Sequence, residues 1–135
     1  MNNKFMELAI KEAIKANKKG EVPVGAVLVK NDKVIAKSYN KIESKNDCTF
    51  HAEINVIKKA SKKLKNWRLM DCDLYVTLEP CEMCYGAIKH SRIKNVYFAV
   101  PKNNKKNNKI NIVNMKNYNN EYIKLLQNFF KEKRG

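Results

Sequence analysis

At 135 residues and 44% hydrophobic, the chain is long enough to bury a core without disulfide staples and too apolar to be disordered. No run approaches the roughly 18 apolar residues of a membrane span, and residues 1–20 lack the apolar core of a signal peptide. The expectation is a cytoplasmic protein without membrane contact, its four cysteines free or metal-bound. The 28 Lys+Arg against 13 Asp+Glu leave a charge of +15, which attracts polyanions such as nucleic acid. Lys and Asn dominate the polar positions, so a biased genome composition would raise the charge equally well.

Residues 5–18 place Phe5, Leu8, Ala9, Ile10, Ala13, Ile14 and Ala16 near one helical face, and Gly20 stands where a helix stop belongs. Residues 25–29 and 34–39 are apolar, β-branched runs around the polar Lys30-Asn31-Asp32-Lys33, which predicts a hairpin. Residues 41–49 read as a polar loop. Residues 51–64 predict a buried helix, 74–78 a short strand ending at Glu79-Pro80, and 81–90 a helix entered through Pro80. Residues 96–100 predict the next strand, 110–113 a short last one, and 118–131 a helix with Tyr122, Leu125, Leu126, Phe129 and Phe130 mostly on one side. Between them, 102–109 is almost wholly Lys and Asn and reads as an exposed loop or a flexible segment. Alternating strands and helices imply one layered α/β domain over residues 1–135.

Two short clusters carry the chemistry: His51-Ala52-Glu53 and Pro80-Cys81-Glu82-Met83-Cys84. Cys81 and Cys84, three apart, share one face of a helix start. Two thiolates and an imidazole form a soft set that suits zinc, and three protein ligands leave a fourth position for water. Such an ion brings that water's pKa to about 7. Glu53, two residues from a ligand, is placed to move the proton without binding the metal. If His51 and Cys81 each open a helix, both positive dipole ends face the site. A closed alternative exists: Cys48-x-x-His51 with Cys81-x-x-Cys84 makes a structural Cys₃His site, and it predicts that Cys48→Ala loses zinc. It leaves Glu53 and Pro80 without purpose. Cys48 and Cys72 are read instead as free cysteines and His90 as a structural histidine.

The order H-x-E followed by P-C-x-x-C is that of the zinc-dependent nucleobase deaminases. The flanking segments narrow this, because the chain resembles the bacterial tRNA-specific adenosine deaminases. The likeness runs from the first helix to Val100. It takes in Glu21-Val22-Pro23-Val24-Gly25-Ala26-Val27-Leu28-Val29, Tyr75-Val76-Thr77-Leu78-Glu79-Pro80, Gly86-Ala87-Ile88 and His90-Ser91-Arg92-Ile93. It returns at Phe129-Phe130-Lys131. The zinc clusters alone are shared with cytosine, guanine and deoxycytidylate deaminases.

The resemblance implies a three-layer α/β/α cytidine-deaminase-like fold around a mixed sheet of about five strands, working as a homodimer. It implies hydrolytic conversion of the wobble adenosine of a tRNA anticodon stem-loop to inosine, with ammonia released. His51, Cys81 and Cys84 are then the zinc ligands and Glu53 the proton shuttle. Asn40 should hydrogen-bond the target base, Ala52 contribute through its backbone, and Glu79 accept from the exocyclic amine. Taken alone, Asn40 reads equally as a turn residue after a strand.

The chain also departs from the family. After the fourth strand the family usually continues with an acidic residue, a lysine and a glycine-rich turn that help hold the RNA. Here Val100-Pro101-Lys102-Asn103-Asn104-Lys105-Lys106 has neither acid nor glycine. The expectation is that Lys102, Lys105, Lys106 and Lys109 replace specific contacts by attraction to phosphate. Two other functions stand beside the first: a deaminase of a free base or nucleoside such as cytosine or guanine, and a non-catalytic zinc-bound RNA-binding module.

Overall fold

The computed structural model describes residues 3–102, 111–114 and 119–134. Helix α1 (Asn3–Lys18) buries Phe5, Ala9, Ala13 and Ala16 of the expected stripe, adds Met6 to it, and leaves Ile14 exposed. It stops at Gly20, whose φ of 76° suits a residue without Cβ. The Gly20 amide donates to Asn17 O at 3.1 Å and the Glu21 amide to Ala16 O at 3.0 Å, a Schellman closure. Strands β1 (Gly25–Lys30) and β2 (Lys33–Tyr39) form the hairpin. Its turn is Asn31-Asp32, at φ 52° and 60°, a left-handed pair that Asn and Asp tolerate and that matches the strand twist.

There follow α2 (Ile42–Lys45), α3 (Ala52–Leu64), β3 (Cys72–Leu78), α4 (Glu82–His90), β4 (Asn95–Val100), β5 (Asn111–Asn114) and α5 (Asn119–Arg134). The one-turn helix α2 lies inside the segment expected to be loop. Four residues with no buried side chain carry no periodic signal. Strand β3 starts at Cys72, two residues before the apolar run, because Asp73 faces outward without leaving the ladder. Most of the Lys/Asn loop, residues 103–110, lies outside the described residues.

The five strands are ordered β2-β1-β3-β4-β5. β1 runs antiparallel to β2 and β3, while β3/β4 and β4/β5 are parallel, so the sheet is mixed as expected. Successive residues of a strand face opposite layers. Ala26 and Leu28 therefore join Leu74, Val76, Val56, Ala60 and Ile88 under α3 and α4, whereas Val27, Val29 and Tyr75 join Phe5, Met6 and Ala9 under α1. Helix α5 packs against β4 and α1, burying Tyr122 completely. The parallel strands β3 and β4 end together at the Leu78/Val100 pair, and α3 and α4 begin at this edge. A crevice at the carboxyl ends of parallel strands is where such sheets hold ligands. Among the described residues, no helix is long and apolar enough to cross a membrane.

At Gly25 the backbone of β1 lies directly against that of α1. A Cβ there would run into the Ala9 carbonyl oxygen and lie 2.5 Å from the Ala13 nitrogen, both backbone atoms of α1. Gly25→Ala is therefore expected to cost about 2–3 kcal/mol by prising α1 off β1. The check is a lowered urea midpoint at unchanged slope; an unmoved midpoint would contradict this packing.

Candidate metal centre and active site

His51 is the N-cap of α3 (φ −70°, ψ 153°) and Cys81 the N-cap of α4 (φ −76°, ψ 175°). Extended cap dihedrals turn the chain into each helix, so both side chains stand at helix N-termini, with Cys84 in the first turn of α4. His51 Nδ1 lies 3.7 Å from Cys81 Sγ and 3.5 Å from Cys84 Sγ. The three donor atoms fall within 4.8 Å of one another, and among the described residues this is the group able to hold a metal ion. Cys48 and His90 are exposed and outside it, so the closed Cys₃His arrangement is not assembled.

Burial pushes the Cys84 thiol far up, and the neighbouring Glu53 and Cys81 charges push it further. A thiol so placed ionises only beside a cation. Burial, with the charge of Lys102 adding, pushes His51 down and keeps it in the neutral form that ligates metals. Burial also pushes the Glu53 carboxyl up. Two sulfurs and a neutral imidazole make a donor set that fits a borderline-soft divalent metal.

A cavity of about 180 Å³ opens on this cluster, lined by His51, Cys81, Ala52, Glu53, Asn40, Glu79 and Lys102, with apolar walls from Val22, Val24, Ile42 and Leu78. Of the residues expected to hold the metal, move the proton or contact the base, all line it except Cys84, which is fully buried and joins through the metal cluster. As the first residue of α3, Ala52 has no backbone acceptor for its amide within the helix. Asn40 is buried, and its Oδ1 accepts from the Ile42 amide at 3.0 Å. It is thus a turn residue and a cavity residue at once, with its NH₂ group left to donate. Glu79 is buried with both oxygens engaged: Oε2 by the Tyr85 hydroxyl and Oε1 by the Lys102 amide, each at 2.9 Å.

The family model described as MafB19-like deaminase matches residues 1–134. The tRNA-specific adenosine deaminase of Buchnera aphidicola subsp. Schizaphis graminum is 44% identical over 142 residues, 96% of this chain and 94% of that one. The chain belongs to the tRNA-specific adenosine deaminase family of deaminases. Among solved structures, one from a study of A-to-I editing by tRNA:A34 deaminases superposes with a TM-score of 0.85 at 37% identity. It covers 93% of this chain and 100% of its own. A guanine deaminase from Bacillus subtilis is 41% identical at a TM-score of 0.70, over 75% of this chain and 66% of that one.

In this deaminase, several residues that build the site escaped the sequence reading. Glu21 is 1% exposed, and its two oxygens accept the amides of Glu43 at 2.9 Å and Ser44 at 2.7 Å. A carboxylate on the free amides of a helix start holds α2, and with it Ile42, against the cavity. The Tyr122 hydroxyl donates to Pro23 O at 2.6 Å, and Thr77 Oγ1 accepts the Gly25 amide at 3.1 Å, fixing the chain on either side of Val24. Asn55 Nδ2 donates to Tyr39 O at 2.9 Å and Phe50 O at 3.3 Å, stapling α3 to the end of β2. The one signal in the sequence was an acidic residue directly after a helix stop and before an apolar run. Tyr122 showed only as part of a core stripe.

Cys81→Ser and Cys84→Ser are expected to purify with most of the metal lost, while Cys48→Ala keeps the parent's stoichiometry. Elemental analysis of the purified proteins decides this, and metal loss from Cys48→Ala would restore the closed arrangement.

Proposed function

We propose that this chain is a zinc-dependent enzyme that converts the wobble adenosine of a tRNA anticodon loop to inosine. The observation that carries the reading is Glu53, a carboxyl 3% exposed that shares one cavity with His51 and Cys81. Its support is a likeness to tRNA-specific adenosine deaminases extending over 96% of the chain. Zinc held by His51, Cys81 and Cys84 supplies a water acidic enough to lose its proton near neutral pH.

The rest is work for the protein. The reaction exchanges the C–NH₂ of adenine for C=O, consuming water and releasing ammonia. Glu53 accepts the two protons of the water in turn, passing the first to the ring nitrogen and the second to the departing amine. Asn40 donates from its NH₂ group to the base, Ala52 offers a first-turn amide, and Glu79 accepts from the exocyclic amine. The apolar walls exclude competing water and hold the ring. In an anticodon loop the adenosine is already unpaired, so bringing it into the cavity costs less than from a duplex. The net charge of +15 suits an RNA substrate. The enzyme works in the cytoplasm as a homodimer, for which the exposed Trp67, Met70 and Met83 supply apolar surface.

A second reading, deamination of free guanine or a related base, is favoured by the 41% identity to the guanine deaminase structure. That likeness covers 75% of this chain against 93% for the tRNA:A34 deaminase structure, and the fold follows the latter more closely.

The deciding assay sets an anticodon stem-loop carrying a wobble adenosine beside free adenosine, cytosine and guanine. Inosine from the stem-loop alone is expected, and turnover of free guanine instead would move the protein to base salvage. Glu53→Gln is expected to keep zinc while lowering kcat by about 10²–10⁴-fold; undiminished turnover would remove Glu53 from the chemistry. Lys102 lines the cavity, and Lys105, Lys106 and Lys109 lie outside the described residues. Neutralising all four should weaken stem-loop binding and flatten its salt dependence, by about one in slope for each phosphate left without a cation. Unchanged affinity and slope would dismiss the phosphate role.

A further inference from the structure

Tyr85 follows the ligand Cys84 on α4, is buried, and gives its hydroxyl to Glu79 Oε2 at 2.9 Å. Glu79 Oε1 takes the Lys102 amide at 2.9 Å. A buried carboxylate on the cavity wall is therefore gripped at both oxygens, from α4 on one side and from beyond β4 on the other. It cannot turn without breaking one bond. Any residue but proline would supply the Lys102 amide, whereas the second donor is specific to the tyrosine. A phenylalanine would fill the same space, so the hydroxyl is explained by its bond and not by packing.

An ionised carboxylate only accepts, and each oxygen keeps a lone pair beyond its internal bond. Glu79 thus offers the cavity a set of acceptors fixed in place. Deamination turns a donor into an acceptor at one carbon: the C–NH₂ of the substrate donates, and the C=O of the product does not. A fixed acceptor attracts the first and repels the second.

Resting on the functional reading above, we propose that Tyr85 is a positioning residue that acts through Glu79, making the cavity hold the amino-substituted base and release the oxo-substituted product. A carboxylate loosened at Oε2 can swing away from the product oxygen, and an amide in its place can donate to it. Either change erodes the distinction.

The test measures binding to the zinc-loaded Glu53→Gln protein, on a timescale short against its slowed turnover. Two anticodon stem-loops are compared, identical except for adenosine or inosine at the wobble position. The Glu53→Gln protein should prefer the adenosine loop. Adding Tyr85→Phe should shrink that preference about fivefold, the weight of one hydrogen bond. Glu79→Gln should shrink it at least as far, and Tyr85→Phe should then add nothing, because it acts through Glu79. In the active enzyme, Tyr85→Phe should retain zinc while product inhibition by the inosine loop strengthens relative to KM. The proposal is overturned by an unchanged preference in Tyr85→Phe, by full additivity with Glu79→Gln, or by no preference before either change. Failure of the functional reading appears separately, as an unmodified parent enzyme that does not convert the adenosine loop.

Discussion

Keeping two thiols, an imidazole and a carboxyl together away from water is the constraint on which the rest of this site depends. Ionised, the thiols and Glu53 repel one another, and burial penalises Cys84 and Glu53 further. The fold answers in two ways. It brings the starts of α3 and α4 to the same edge of the sheet, so that free amides and positive dipole ends surround the cluster. It also leaves the three donors within 4.8 Å of one another, around a point where a cation could be held.

That convergence requires two helix starts, from distant parts of the chain, to be held to within fractions of an ångström. The parallel pairing of β3 with β4 sets where α4 begins and ends, and the layer of Leu74, Val76, Val56, Ala60 and Ile88 sets how α3 lies beside it. Close packing makes this precise, since a core of this kind yields little without loss of stability. On the other face Gly25 lets α1 lie against β1, and α5 reaches back through Tyr122 to Pro23. The apolar wall of the cavity thus hangs on contacts from both layers.

The polar walls are built differently, by buried side chains spent on backbone. Glu21 holds α2, Asn55 holds the end of β2, and Glu79 is itself held from α4 and from Lys102. Each satisfies groups that would otherwise be buried unpaired. The result is a cavity in whose lining Asn40 and Glu79 are held in place by hydrogen bonds of their own.

The amino-acid sequence by itself determined the elements and the chemistry, because both rest on short-range rules. Helical and strand periodicities, the Gly20 stop and the Asn31-Asp32 turn act within a few residues, as does the three-residue spacing that puts Cys81 and Cys84 on one face of α4. Only α2 slipped through, being too short to show a period. The tertiary structure decided what depends on contacts between distant residues. It paired His51 with cysteines 30 and 33 residues away and left Cys48 outside. It gave Asn40 two roles where the sequence offered a choice, and set Tyr85 and Lys102 on the oxygens of Glu79. Such contacts follow from how strands order in the sheet and how helices pack across it, and no local spacing encodes that order.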